Sequence, residues 1–157
     1  MTLTPLTPQQ EAEDIRMMMA ALREAQAAMD ADEVPIGAVV ALDGRIIGRG
    51  HNLTESLRDV TAHAEMQAIT AAAQTLGGKY LQRCTLYVTV EPCLMCAGAI
   101  GWSQLQRVVY GAPDPRRGYT TLTVTDRPVL HPSCTVRTGV LADECITLMR
   151  TFFATRR

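Results

Sequence analysis

Thr85-Leu86-Tyr87-Val88-Thr89-Val90, then Glu91-Pro92, then Cys93-Leu94-Met95-Cys96 running on to Trp102, then Arg107-Val108-Val109-Tyr110-Gly111: this stretch decides the fold. Its first six residues are β-branched, aromatic or aliphatic, the composition of a strand. Glu91-Pro92 breaks that strand, because proline brings no backbone donor to a ladder. Cys93 to Trp102 reads as a helix and Arg107 to Gly111 as the next strand. Strand, helix, strand at this spacing implies a crossover and a parallel pair. The two cysteines, three apart, share one face of the helix's first turn. There the helix N-terminus stabilises negative charge and favours thiolate over thiol.

A second stretch, some thirty residues upstream, has to meet the first in space: Thr61-Ala62-His63-Ala64-Glu65. It opens a helix from Ala62 to Leu76 that Gly77-Gly78 stops. Together the two stretches supply one imidazole, two thiolates and a free carboxylate. Zinc takes nitrogen and sulfur ligands tetrahedrally, and three protein ligands leave a fourth position for water, the mark of a catalytic site. His63, Cys93 and Cys96 are the expected ligands of one Zn2+ ion, and Glu65 the expected acid/base, uncoordinated and beside the activated water. Two residues apart on a helix, His63 and Glu65 point in different directions. The opposing reading is a structural zinc knot with Glu65 as a helix-start charge. Such a knot wants four closed ligands. His51 and His131 stand isolated and Cys84 sits in a strand, so no good fourth is present.

Outward from the site, the chain is periodic. Thr7-Pro8-Gln9-Gln10 opens a helix with a capping box and proline at its first position. Ile15, Met18, Met19, Leu22, Ala25 and Met29 follow at helical spacing, a face for packing on a sheet rather than a soft binding surface. Ile36 to Leu42 and Arg45 to Gly50 form a hairpin about Asp43-Gly44. Gly48 and Gly50 fit either close backbone approach to a ligand or simple turn geometry. Ala112 to Pro132, rich in proline and threonine, is expected as a long loop over the site, or a loop plus a short strand. Thr135 to Val140 is a final strand and Leu141 to Phe153 a last helix, with Ile146, Met149 and Phe153 on one side. The order gives a mixed three-layer α/β architecture.

The 157 residues are expected to form a single domain, 1–157, at 47% apolar and 20% charged. No run approaches the roughly 20 apolar residues that span a membrane, and Met1 to Gln10 lacks a signal peptide's pattern, so no membrane partner and a cytoplasmic location are expected. Five cysteines, an odd number, argue against a disulfide framework. Cys84 and Cys145 read as small hydrophobes, while Cys134 finds no role. A net charge of -1 is low for a general nucleic-acid binder, so any RNA contact rests on local clusters.

His63-Ala64-Glu65 followed by Pro92-Cys93-x-x-Cys96 resembles the zinc-dependent cytidine and nucleobase deaminases. Val34 to Val39, Gly48 to Asn52, Thr61 to Glu65, Thr85 to Ala99, and Gly139 to Cys145 with Phe152-Phe153 are similar to the bacterial tRNA-specific adenosine deaminase family. That resemblance implies a three-layer cytidine-deaminase-like domain with a central mixed five-stranded sheet and helices on both faces. It implies conversion of a tRNA wobble adenosine to inosine by a homodimer, with the flipped base in the zinc pocket. It places Asn52, Ala64, Pro92 and Asp114 in substrate binding, with Asn52 on the base and Asp114 on the ribose. Phe153, Arg156 and Arg157 would lie along the anticodon stem-loop, with Arg116 and Arg117 on phosphate. The chain departs from the family at Asp59-Val60-Thr61, where Asp-Pro-Thr is usual. It departs again at Gly111-Ala112-Pro113-Asp114-Pro115-Arg116-Arg117-Gly118-Tyr119, where Gly-Ala-Arg-Asp and Lys-Thr-Gly-Ala are usual. Trp102 is similar to an aromatic of bacterial guanine deaminases, where it could stack a free purine, though dimer-interface packing is favoured. A free-base or nucleoside deaminase, guanine foremost, and a non-catalytic zinc-binding module remain as alternatives.

Overall fold

The computed structural model describes residues 4–123 and 126–156. Its elements in chain order are α1 (Pro8–Asp30), β1 (Gly37–Leu42), β2 (Arg45–His51), α2 (Ala64–Leu76), β3 (Thr85–Val90), α3 (Leu94–Trp102), β4 (Arg107–Ala112), α4 (Tyr119–Leu122), β5 (Thr135–Thr138) and α5 (Ala142–Ala154). The five strands form one mixed sheet in the order β2-β1-β3-β4-β5. β1 runs antiparallel to both neighbours, whereas β3, β4 and β5 are parallel. The expected three-layer architecture and the parallel pair joined by the cysteine helix are both present.

Alternation along the strands decides what each face packs. Ala38, Val40, Leu86, Val88, Val108 and Tyr110 face α2 and α3, with Ala64, Ala68, Ala72, Ala97 and Ile100 against them. Val39, Ala41, Tyr87 and Val109 face α1 and α5, with Met17, Met18, Ala21 and Cys145. Such strands are buried on both sides and read as continuous apolar runs.

Local chemistry sets the boundaries. Thr7 Oγ1 accepts from the Gln10 amide while Gln10 Oε1 accepts from the Thr7 amide, completing the expected capping box. Asp43 (φ 50) and Gly44 (φ 76) both lie in the left-handed region that a two-residue hairpin turn demands. Gly77 (φ 72) closes α2, its amide reaching the Ala73 and Gln74 carbonyls.

Several expectations need correction. α2 starts at Ala64 and α3 at Leu94, because His63 and Cys93 are their N-caps and keep extended backbone. The close backbone approach at Gly48 and Gly50 is that of α2 pressing on β2. A Cβ on Gly50 would lie 2.6 Å from the Ala64 carbonyl and the Ala68 amide. The packed face of α1 is turned from the one read in the sequence, with Met17 and Met18 buried and Ile15 and Met19 exposed. Residues 112–132 are neither plain loop nor loop and strand, since they hold the helical turn α4. α5 begins one residue late because Leu141 takes φ 52. Cys84 and Cys145 are buried as expected, and Cys134 packs half-buried against the α2/α3 side. No helix among the described residues is long and apolar enough to cross a membrane.

Candidate metal centre and substrate cavity

The carboxyl ends of β1 and β3 do not meet; the start of β1, the end of β2 and the end of β3 do, and the N-termini of α2 and α3 converge there. His63 and Cys93 each take an N-cap position without capping the helix by a side-chain hydrogen bond. Their side chains turn to each other: His63 Nδ1 lies 3.6 Å from Cys93 Sγ and 3.5 Å from Cys96 Sγ. All three donor atoms lie within 4.8 Å of one another, so His63, Cys93 and Cys96 could hold a metal ion.

The electrostatics of this cluster fit a cation. The Cys96 thiol foremost, then His63 and the Cys96 amide, drives the Cys93 thiol down to about 4 against the effect of burial. Cys96 is pushed up by its bond to Cys93, by burial and by Glu65. His63 is raised, chiefly by its bond to Cys93. Two sulfurs sharing a proton beside a proton-seeking imidazole form a donor set whose protons a divalent, sulfur-tolerant metal displaces. Glu65, one residue inside α2, is buried, and burial raises its pKa, with its own backbone amide and Cys96 opposing. Among the described residues it has no ion-pair partner.

A cavity of about 290 Å³ opens over the cluster. Asn52, Ala64 and Glu65 line it from one side, and Glu91, Asp114 and Arg117 from the other. Pro92 is buried and lies outside this wall; its carbonyl accepts from the Tyr119 amide at 2.9 Å. A groove of about 360 Å³ continues outward, sharing Val90, Asp114, Arg117 and Met149 with the cavity. Arg116 and Phe153 line it, as does Arg150, which the sequence reading passed over. Arg150 stands one turn before Phe153 on α5, and that spacing beside an aromatic was the available signal.

Arg156 is not in this groove. It pairs with Asp32 at 2.8 Å and stacks over Phe152 at 3.8 Å. Arg157 lies outside the described residues. Trp102 is 86% exposed and does not line the cavity, so it cannot stack a purine there in this chain. Glu91, also overlooked as a functional side chain, is buried and takes hydrogen bonds from the segment after β4.

The MafB19-like deaminase family model matches residues 12–155. The tRNA-specific adenosine deaminase of Agrobacterium fabrum is 45% identical over 148 residues, covering 93% of this chain and 97% of that protein. The enzyme of the same name from Bacillus subtilis is 43% identical over 143 residues, covering 90% and 89%. A solved structure from work on A-to-I editing by tRNA:A34 deaminases at the transfer RNA wobble position is 43% identical, with a TM-score of 0.79, covering 85% of this chain and 98% of that one. The guanine deaminase of Nitrosomonas europaea is 25% identical, with a TM-score of 0.76, covering 98% and 97%.

Proposed function

This chain belongs to the tRNA-specific adenosine deaminases, within the MafB19-like deaminase family, and we propose from that premise how its residues convert the wobble adenosine of a tRNA anticodon to inosine. It is a hydrolase of the exocyclic C–N bond on an aminated ring: adenosine and water give inosine and ammonia. The observation that carries the reading is a three-donor cluster with a buried, unpaired carboxylate beside it, at the base of a cavity that opens into an arginine-bearing groove.

His63, Cys93 and Cys96 would hold one zinc ion, which when bound supplies Lewis-acid activation that lowers the pKa of water to about 7. Glu65 takes a proton from the attacking water and delivers it to the ring nitrogen next to the amino-bearing carbon, making that carbon electrophilic. A second proton passes through Glu65 to the departing ammonia. Its burial suits this role, since a raised carboxyl pKa lets one group both accept and return a proton. Asn52 holds the base, the Ala64 backbone lies by the leaving amine, and Asp114 meets the ribose. Pro92 belongs to this set through the wall it supports. Arg116, Arg117 and Phe153 receive the anticodon loop, with phosphate as the partner of the arginines. Arg156 and Arg157 extend the basic end toward the stem, and Arg156 reaches RNA only by leaving Asp32.

The same reading takes residues 1–157 as one deaminase domain at work in the cytoplasm, where tRNA is handled. It also takes the chain as a homodimer. α3 presents Leu94, Met95 and Trp102 to solvent, and nothing lies within 4 Å of where a Gly98 Cβ would stand. A helix apolar all round is a buried helix, and a second copy would bury it. Trp102→Glu should halve the mass measured by light scattering; a mass that does not change rejects this interface.

The deciding experiment offers the zinc-loaded protein an anticodon stem-loop with a wobble adenosine, free guanine, and free adenosine and cytidine, and measures inosine or ammonia. Turnover of the stem-loop alone is expected. Turnover of guanine alone would overturn the tRNA reading. Silence on every substrate with zinc bound would favour a non-catalytic module.

A further inference from the structure

Glu91 is the last residue before Pro92, and its carboxylate is buried with no cation paired to it among the described residues. Both of its oxygens are taken by one segment. The Asp114 amide donates to Oε1 at 3.3 Å, and the Thr120 amide and hydroxyl donate to Oε2 at 3.1 and 2.8 Å. Gly118 fits against the same carboxylate, where any Cβ would collide with it. Main-chain contacts seat the rest: Cys93 and Gly118 form an isolated bridge, and the Tyr119 amide reaches the Pro92 carbonyl at 2.9 Å. Inside the segment, Asp114 Oδ1 accepts from the amides of Arg116 and Arg117, each at 3.0 Å.

A buried carboxylate is stable only where donors replace its lost water, and ionised acceptors make the stronger hydrogen bonds. Here the donors belong to the segment that puts Asp114 and Arg117 into the cavity and Arg116 into the groove. We propose that Glu91 is a positioning residue: it holds residues 113–120 in the shape that receives the nucleotide and phosphates around the target adenosine. It acts through Asp114 and Arg117, and leaves the reacting ring to Glu65. The inference rests on the tRNA reading above.

The test compares full-length, zinc-loaded Glu91→Gln, Thr120→Val and Thr120→Ser on the anticodon stem-loop. Glu91→Gln turns an acceptor into a donor facing the segment's own donors. Its KM should rise about tenfold, equivalent to ~1.4 kcal/mol, with kcat and zinc content within about twofold of the parent. Thr120→Val, which loses one hydroxyl at an exposed position, should raise KM about threefold, and Thr120→Ser should restore it. Amide exchange at Asp114 and Thr120 should quicken in Glu91→Gln. Unchanged KM in Glu91→Gln, a fall in kcat alone, or loss of zinc overturns the proposal. If Glu91→Gln does not fold, an unchanged KM in Thr120→Val overturns it instead. If the parent ignores the stem-loop, the tRNA reading has failed by itself, and unquickened exchange in Glu91→Gln then overturns the positioning role separately.

Discussion

The two ends of the sheet treat buried negative charge in opposite ways. At the amino ends of β3 and β4, Asp14 is 2% exposed and is met by two guanidiniums: Arg107 at 2.6 Å and Arg137 at 2.6 Å, with the Tyr87 hydroxyl at 2.9 Å. At the other end, Glu33, Glu65 and Glu91 are buried without a cation among the described residues. Glu33 and Glu91 are satisfied by loop amides, Glu33 by those of Glu55 at 2.7 Å and Ser56 at 3.4 Å. Glu65 lies by the thiol cluster. Charge held by charge fixes the scaffold; charge held by amides shapes loops; charge left beside exchangeable protons is free to do chemistry.

The contrast can be broken most forcefully at Glu65. Glu65→Ala should lower single-turnover inosine formation by ~10²–10⁴-fold or more, while metal analysis still finds zinc. Loss of zinc would mean that the carboxylate belongs to the ligand set after all. At the opposite end, Asp14→Asn should cost ~3–5 kcal/mol in denaturant unfolding, because it strands two partly buried arginines, yet leave kcat/KM close to the parent value. Burial by itself would raise the Asp14 pKa, but hydrogen bonds from Arg107, Arg137 and Tyr87 outweigh it and hold the group below 3.8. A carboxylate depressed by folding contributes stability above its unfolded pKa and loses it as pH falls toward the folded one. Acid titration of the parent should therefore steepen below pH 3.8, and Asp14→Asn should flatten that limb.

A packing change at the site end sharpens the contrast further. Gly50→Ala drives a methyl into α2, whose first residues include Glu65, and should cost ~1–3 kcal/mol while also lowering kcat. Stability loss with intact kcat would show that the site tolerates movement of its helix. The smallest effect is expected at Thr7→Ala, ~1 kcal/mol in thermal or chemical melts and no change in turnover.

What could be read in advance was whatever depends on neighbours in sequence. The Thr7-Pro8-Gln10 cap, the Asp43-Gly44 turn and the Thr85–Val90 run each carry their cause within a few residues. The cluster of His63, Cys93 and Cys96 was legible because metal chemistry restricts both residue type and spacing. α4 was not, since its threonines become a helical turn only through Glu91 and Pro92 from another element. Gly48 and Gly50 misled for the same reason: their partner is a helix that follows later in the chain. The Arg156–Asp32 pair was not legible either, because the two residues are 124 positions apart.

The segment from Pro113 to Thr120 is fastened by its main chain, by one glycine and by a carboxylate just past β3's end, whereas the side chains of Pro113, Pro115, Arg116 and Arg117 are exposed. Its outline and its lettering are thus separately inherited. Those exposed positions can be respelled, and the surface offered to a nucleic acid changed, without touching the hydrogen bonds that seat the segment beside the metal cluster.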